Sequence, residues 1–142
     1  MKKLTIIAAF LSCGFVSCKK DITQTAVESE TPALENAVVI ATGSLALASE
    51  INVGQVKIYH QKNGKYLLSI EKMNLKVGSK SLVIKLSSSN AVSYSSIKIC
   101  SVHNVPGNIL HELPSNFDLT VFKYLLVLSE PTEEIIASAE LN

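Results

Sequence analysis

From Val38 onward, apolar residues recur at every second position in short runs, and each run is broken by Gly, Asn, Ser or Pro. A side-chain period of two belongs to a strand with one face buried, because successive side chains point to opposite sides of the pleat. Runs at 38–49, 54–60, 65–73, 81–87, 97–102, 108–113, 121–129 and 135–141 therefore predict about eight strands and no convincing helix. Leu45 and Leu47 share one face of the first run. In the second, Val56 and Ile58 oppose Gln55, Lys57 and Tyr59. Tyr66, Leu68 and Ile70 align in the third, and Leu82, Ile84 and Leu86 in the fourth, with Lys85 opposite. The run 121–129 is almost wholly apolar, which predicts a central strand covered on both faces. Asn63-Gly64 marks a hairpin whose turn asks for positive φ at both central residues. Short strands that each bury one face make an antiparallel β-sandwich or barrel the expected fold.

The N-terminus has a different character. Lys2 and Lys3 precede an uncharged, mostly apolar stretch, 4–16, and Ser17 is the small residue expected before a cleavage point, so 1–17 reads as a signal peptide. The stretch is shorter than the roughly 17–25 apolar residues a spanning helix needs, and Lys19, Lys20 and Asp21 end it. Phe15-Val16-Ser17-Cys18 resembles the lipobox of bacterial lipoproteins, in which diacylglycerol is joined to the cysteine thiol before the signal peptidase cuts. Phe15 stands where Leu is usual. Cys13 follows Phe10-Leu11-Ser12, but it lies inside the apolar run and cleavage there would leave a hydrophobic tail. Cys18 is the expected lipidation site and a membrane the expected partner. Several acyl chains on one residue anchor stably, each buried CH₂ contributing about 0.8 kcal/mol. The start Cys18-Lys19-Lys20-Asp21 is similar to surface-directed lipoproteins of the Bacteroidota, which implies the cell envelope, at the outer membrane, facing the periplasm or the surface.

Three segments result: signal peptide 1–17, lipidated cysteine and tether 18–37, and one β domain 38–142. Residues 19–37 mix Thr, Glu, Ser and Pro without sustained alternation and read as a flexible spacer. A short helix around 33–38 would be too short to stand alone. Cleavage removes Lys2 and Lys3, so the formal charge changes from +1 to −1, with no arginine anywhere in the chain. Phosphate backbones ask for a basic excess, so nucleic acid is not an expected partner. The lack of arginine also argues against bidentate carboxylate or phosphate clamps. With Cys13 removed and Cys18 lipidated, Cys100 is left without an intrachain disulfide partner.

No catalytic constellation emerges from the remaining residues. Strict alternation puts Cys100 on the face of Lys98, away from Ile97 and Ile99, and a free cysteine there reads first as a small filler of the sheet. Its alternative is a redox thiol, which would need a second molecule to complete a disulfide couple. His60, at a strand end, His103, in a turn, and His111, within a strand, lack the spacing of a metal site, and no cofactor is expected. Serines cluster in turns such as Ser87-Ser88-Ser89 without a Gly-x-Ser-x-Gly elbow. Glu133 and Glu134 are neighbours that would point to opposite faces of a strand, so they read as a solvated turn. Gly78 and Gly107 are isolated turn glycines.

Across 43–141 the chain resembles the DM-thirteen domain, an all-β module often found beside DOMON domains and proposed to serve in electron transfer. The resemblance rests on Gly43-Ser44, on Gly54-Gln55-Val56-Lys57-Ile58, and on Gly78 followed by Leu82 and Leu86-Ser87. It continues through Gly107-Asn108, Pro114, Phe122-Lys123-Tyr124 and Ser138-Ala139-Glu140-Leu141. It implies a redox cysteine at the end of the seventh strand. Counting back from Ala139 and Leu141 puts that position at Ser129, whose hydroxyl neither forms a disulfide nor ionises near neutral pH. The family's Gly-Pro-Asp turn is here Gly78-Ser79-Lys80, aromatic positions of the last strand become Thr132 and Ile136, and His111 stands where the family has Tyr. The scaffold without its cysteine leads to the expectation of a non-catalytic binding or interaction module, for an envelope protein or a small ligand. The alternative is an electron-transfer domain using Cys100 or a bound cofactor.

Overall fold

The computed structural model describes residues 34–47, 53–75, 81–103 and 107–142. The signal peptide, Cys18, Gly78-Ser79-Lys80 and nearly all of the tether lie outside these residues. Eight strands follow one another: β1 Val38–Leu47, β2 Gly54–His60, β3 Tyr66–Met73, β4 Ser81–Ser87, β5 Ile97–His103, β6 Gly107–Glu112, β7 Tyr124–Ser129 and β8 Ile135–Glu140. They form one antiparallel sheet in the order β5-β4-β7-β8-β1-β2-β3-β6, nearly closed into a barrel with β5 and β6 at its edges.

The long β1 joins the two halves. It pairs with β2 from Val38 opposite His60 to Leu45 opposite Gly54, and with β8 through Ala46 opposite Ser138 and Leu47 opposite Ala137. Thr42 and Asn142 exchange backbone hydrogen bonds, each at 2.9 Å, and extend the β1–β8 seam. Period-two alternation turns Leu45, Val56, Ile58, Leu68, Ile70, Leu82, Ile84, Leu86, Leu125 and Val127 into a common core. β7 lies between β4 and β8, and Leu125 to Ser129 are all buried, as its continuous apolar run predicted. On its outward face Leu126 lies opposite Lys85, whose ammonium reaches Glu133 Oε1 at 2.9 Å, so the aliphatic stem runs along the sheet.

Register shifts bend the sheet. Ile40 in β1, Ile99 in β5 and Ile136 in β8 are each an extra residue against the partner strand, and β3 is irregular between Ile70 and Met73. Bulges of this kind increase local twist and help a sheet to close. At the β3 irregularity Lys72 takes a φ of 54°, and its N–H donates to Asn108 Oδ1 at 2.8 Å.

Two turns depart from the sequence reading. At the β2–β3 hairpin only Gly64 has positive φ, 82°, and Asn63 does not. Gly64 N donates to the Gln61 carbonyl, Lys65 N to Asn63 Oδ1, and Gln61 N to the Lys65 carbonyl. A four-residue turn ending in the left-handed Gly64 closes the hairpin, with the Asn63 side chain supplying a bond that a two-residue turn would not need. The seventh strand begins at Tyr124 because Val121 N and Phe122 N both donate to the Asp118 carbonyl. Thr120 Oγ1 and N each donate to Asp118 Oδ1 at 2.7 Å, fixing that turn and holding the Asp118 carboxyl below its ordinary range. Before β1, Ala37 N donates to the Leu34 carbonyl in a single turn.

One end of the barrel receives the tether. There β1 begins beside the end of β2, and the 61–65, 88–96 and 113–123 connections cross. Phe117 closes this end, stacked on Phe122 at 6.3 Å and edge-on to Tyr66 at 5.4 Å.

Candidate functional site

Where β1 leaves β2 for β8, a cleft of about 630 Å³ opens on the outer face. Gly43 lies at its base, where β1 passes close to the Glu140 carbonyl. Alternation directs Thr42 and Ser44 of β1 and Gln55 and Lys57 of β2 outward into its walls, and Glu140 and Asn142 complete them. Hydroxyl, amide, ammonium and carboxylate groups thus share one concave surface. They can hydrogen-bond a polar ligand, and no aromatic side chain lines the cleft to stack one.

Beside this cleft, Lys57 Nζ bonds both oxygens of Glu71, at 2.8 and 2.9 Å, while Ser69 lies directly opposite Lys57 on β3. A serine next to a lysine invites a Ser–Lys nucleophile, which requires a neutral amine to take the hydroxyl proton. Here the hydrogen bond that Lys57 donates to the Glu71 carboxylate raises Lys57 above its ordinary value, against a smaller opposing effect of burial. The ammonium is already committed to a carboxylate, so the pair is structural. Ser69 is 1% exposed and its Oγ has no partner among the described residues. A buried hydroxyl in that state contributes nothing to offset its desolvation, so Ser69→Ala is expected to be neutral or to raise stability by about 1 kcal/mol, read from urea unfolding.

The residues singled out from sequence fall at separate places. Cys18 lies outside the described residues. Ser129 ends β7, buried, opposite Leu82; its N–H donates to the Glu134 carbonyl and its own carbonyl accepts from Glu133 N, both at 2.9 Å. Cys100 is turned the other way from the sequence expectation. Because Ile99 is the extra residue of a bulge, Lys98 pairs with Lys85 while Cys100 pairs with Ile84 and packs against the core. Burial pushes its thiol up from 9.0 to about 11, with Lys98 pulling the other way.

The sign of that shift makes a prediction. A thiol whose folded pKa exceeds its unfolded one stabilises fully below the unfolded value and loses that contribution as pH rises through the folded one. Stability is therefore expected to fall between pH 9.0 and about 11, and Cys100→Ala to flatten the fall in urea midpoints across this window. Alkylation of native protein at neutral pH should be slow and become fast on unfolding.

A cysteine at position 129, where the resemblance to the DM-thirteen domain led one to be expected, would not create a disulfide. Positions 100 and 129 face the interior from β5 and β7, with β4 between them. Two strand spacings of about 4.8 Å separate them by about 10 Å, beyond the roughly 7 Å limit between bridged Cα atoms. Ser129→Cys is expected to show two free thiols by mass spectrometry after oxidation and alkylation of the folded domain.

His60 stacks on Tyr66 at 4.8 Å between centroids, His111 sits exposed on edge strand β6, and His103 closes β5 at the opposite end of the barrel rather than lying in a turn. Among the described residues no three His, Cys, Asp or Glu side chains gather as a metal set. Glu133 and Glu134 lie in the β7–β8 turn, where Glu133 takes a φ of 51° and pairs with Lys85. The polar cleft was not legible in sequence; the outward positions of β1 and β2 were the only signal. Together these features define an antiparallel, nearly closed β-barrel with a polar outer cleft. Comparison with protein-family models, with curated proteins and with solved structures gives no match to this chain.

Proposed function

We propose that this chain is a lipid-anchored lipoprotein of the cell envelope, held at the outer membrane by lipid on Cys18, whose DM-thirteen-like barrel acts as a non-catalytic binding module. The observation that carries binding over electron transfer is the placement of thiol chemistry. The family position is Ser129, and Cys100 is partly buried, packed against the core from edge strand β5, with its thiol raised to about 11. A thiol so held is a poor nucleophile and a poor redox partner. The polar cleft at Gly43 supports the binding reading because it presents converging hydrogen-bonding groups on strands rather than on loops.

Purification of the native protein from membranes tests both parts. Metabolic labelling with an alkynyl palmitate analogue is expected to mark the protein, and Cys18→Ala to abolish the label. Identification of co-purifying molecules is expected to return a polar small ligand or an envelope protein, lost on Gln55→Ala. A stoichiometric chromophore or metal, or a reversible voltammetric wave, would overturn the binding reading in favour of electron transfer.

A further inference from the structure

Every exposed large apolar residue among the described residues lies at the tether end of the barrel. They are Val38, Val39 and Ile40 at the start of β1, Val92 and Tyr94 in the β4–β5 connection, and Val121 before β7. These three segments are far apart in sequence. The strand order brings them to one end, because Ser87 pairs with Tyr124, Thr42 bonds Asn142, and Val38 pairs with His60. Val38 is 64% exposed and Tyr94 is fully exposed.

The exposure of Val92 and Tyr94 is built into the loop. Ser87 Oγ donates to the Ala91 carbonyl at 2.9 Å and accepts from Ser96 Oγ at 3.1 Å, while Ser93 N donates to Ser96 Oγ at 3.0 Å. This serine network takes up the polar groups of the connection and leaves Val92 and Tyr94 outside it. On the 113–123 side, Ile40, Tyr66, Phe117 and Leu119 line a shallow groove of mixed polarity together with Asn116 and Asp118. Of the charges at this end, Lys65 pairs with Glu112 at 2.9 Å, Asp118 is held by Thr120 and Lys62 reaches the neutral amide of Asn36, while Glu35 and Lys123 are exposed. The opposite end carries Glu130, Glu133 and Glu134 and, among the described residues, no exposed large apolar side chain.

We infer that the tether end is a lipid-contact surface that seats the barrel on the membrane carrying its anchor. The inference rests on the lipid-anchored reading above. The occupant follows from where the chain leads: Val38 is the first strand residue after the segment that begins at Cys18. A random-coil chain of that length would have an end-to-end distance of about 25 Å, which would keep the end that receives it close to the acyl-chain anchor. Thr42, Ser44, Gln55, Lys57 and Glu71 point outward on the β1–β3 face, and the outward apolar residues Tyr59, Leu67, Val83, Leu126 and Leu128 are buried rather than exposed, so among the described residues lipid contact falls to an end. Aliphatic side chains with an amphipathic Tyr suit shallow insertion of about 5–10 Å, into the boundary between headgroups and acyl chains.

The chain has no tryptophan, so single reporters can be placed without background. Full-length lipidated protein carrying Tyr94→Trp, Val121→Trp or, at the opposite end, Thr132→Trp would be reconstituted into phosphatidylethanolamine–phosphatidylglycerol vesicles containing a brominated-chain phosphatidylcholine. All three positions are exposed, and circular dichroism checks that the fold is kept. Blue-shifted emission and strong quenching are expected for Tyr94→Trp and Val121→Trp, with Thr132→Trp unquenched. If the protein floats with the vesicles but both tether-end reporters emit as in water, or all three quench alike, docking is overturned while anchoring stands. If mass spectrometry finds Cys18 unmodified, the anchoring reading falls and docking falls with it. Unquenched reporters in a protein that sediments as a dimer, made monomeric by Val121→Asp, would assign the patch to a second copy of the chain instead.

Discussion

Gly43→Val is expected to lower the unfolding free energy by about 3 kcal/mol, a loss of roughly 12–20 °C in Tm for a domain of this size. Any Cβ at this position would run into the carbonyl oxygen of Glu140, and Ala139 Cβ stands beside it at 3.3 Å. The obstacle is backbone on the neighbouring strand, so relief requires β8 to move away from β1. That seam joins the two halves of the sheet, through Thr42 with Asn142 on one side and Ala46 with Ser138 on the other. Gly43→Ala should already cost much of the effect, because the clash begins with the first carbon. Gly64→Ala makes the contrast: open space surrounds its Cβ, and only the left-handed φ of 82° is strained, at about 1 kcal/mol. Thermal unfolding of the three variants by circular dichroism gives the ranking, and equal Tm values for Gly43→Val and wild type would refute the seam argument.

Leu125→Ala is expected to cost about 3 kcal/mol, within the 2–5 kcal/mol range of buried leucine truncations. Leu125 is fully buried in β7, opposite Leu86 on one side and Ala139 on the other. Ala139 is already small, and β7 is hydrogen-bonded on both edges, so the surrounding backbone has little freedom to collapse into the space. By comparison Ile109→Ala, on half-exposed edge strand β6, should cost clearly less. Urea midpoints for the two variants test the ordering, and a smaller loss for Leu125→Ala than for Ile109→Ala would mean that β7 is not the centre of the sheet's stability.

Strand positions were readable because burial of one face imposes a period of two on the side chains, whichever strand lies alongside. All eight strands appear within a few residues of the alternating runs. The turn residues told less. Asn63-Gly64 located its hairpin correctly, yet the Asn63 side chain bonds Lys65 N and only Gly64 adopts positive φ. Bulges were not readable at all, since an extra residue is defined only against a partner strand. Ile99 is the case with chemical consequences: one unpaired residue turned Cys100 from the face of Lys98 to the side of Ile84 and raised its thiol to about 11.

The polar cleft and the apolar end share that origin. Thr42, Ser44, Gln55 and Lys57 looked like ordinary solvated positions, as did Val92, Tyr94 and Val121 taken one at a time. By itself the sequence determined the eight strands, their inward faces, the covered central strand β7 and the residue types available to each loop, because these follow from local periodicity and composition. Only the tertiary structure decided the order β5-β4-β7-β8-β1-β2-β3-β6, the close approach at Gly43, the inward turn of Cys100 and the gathering of exposed apolar residues where the tether enters. Those depend on hydrogen bonds between strands distant in the chain, and no local pattern encodes which strand will lie beside which.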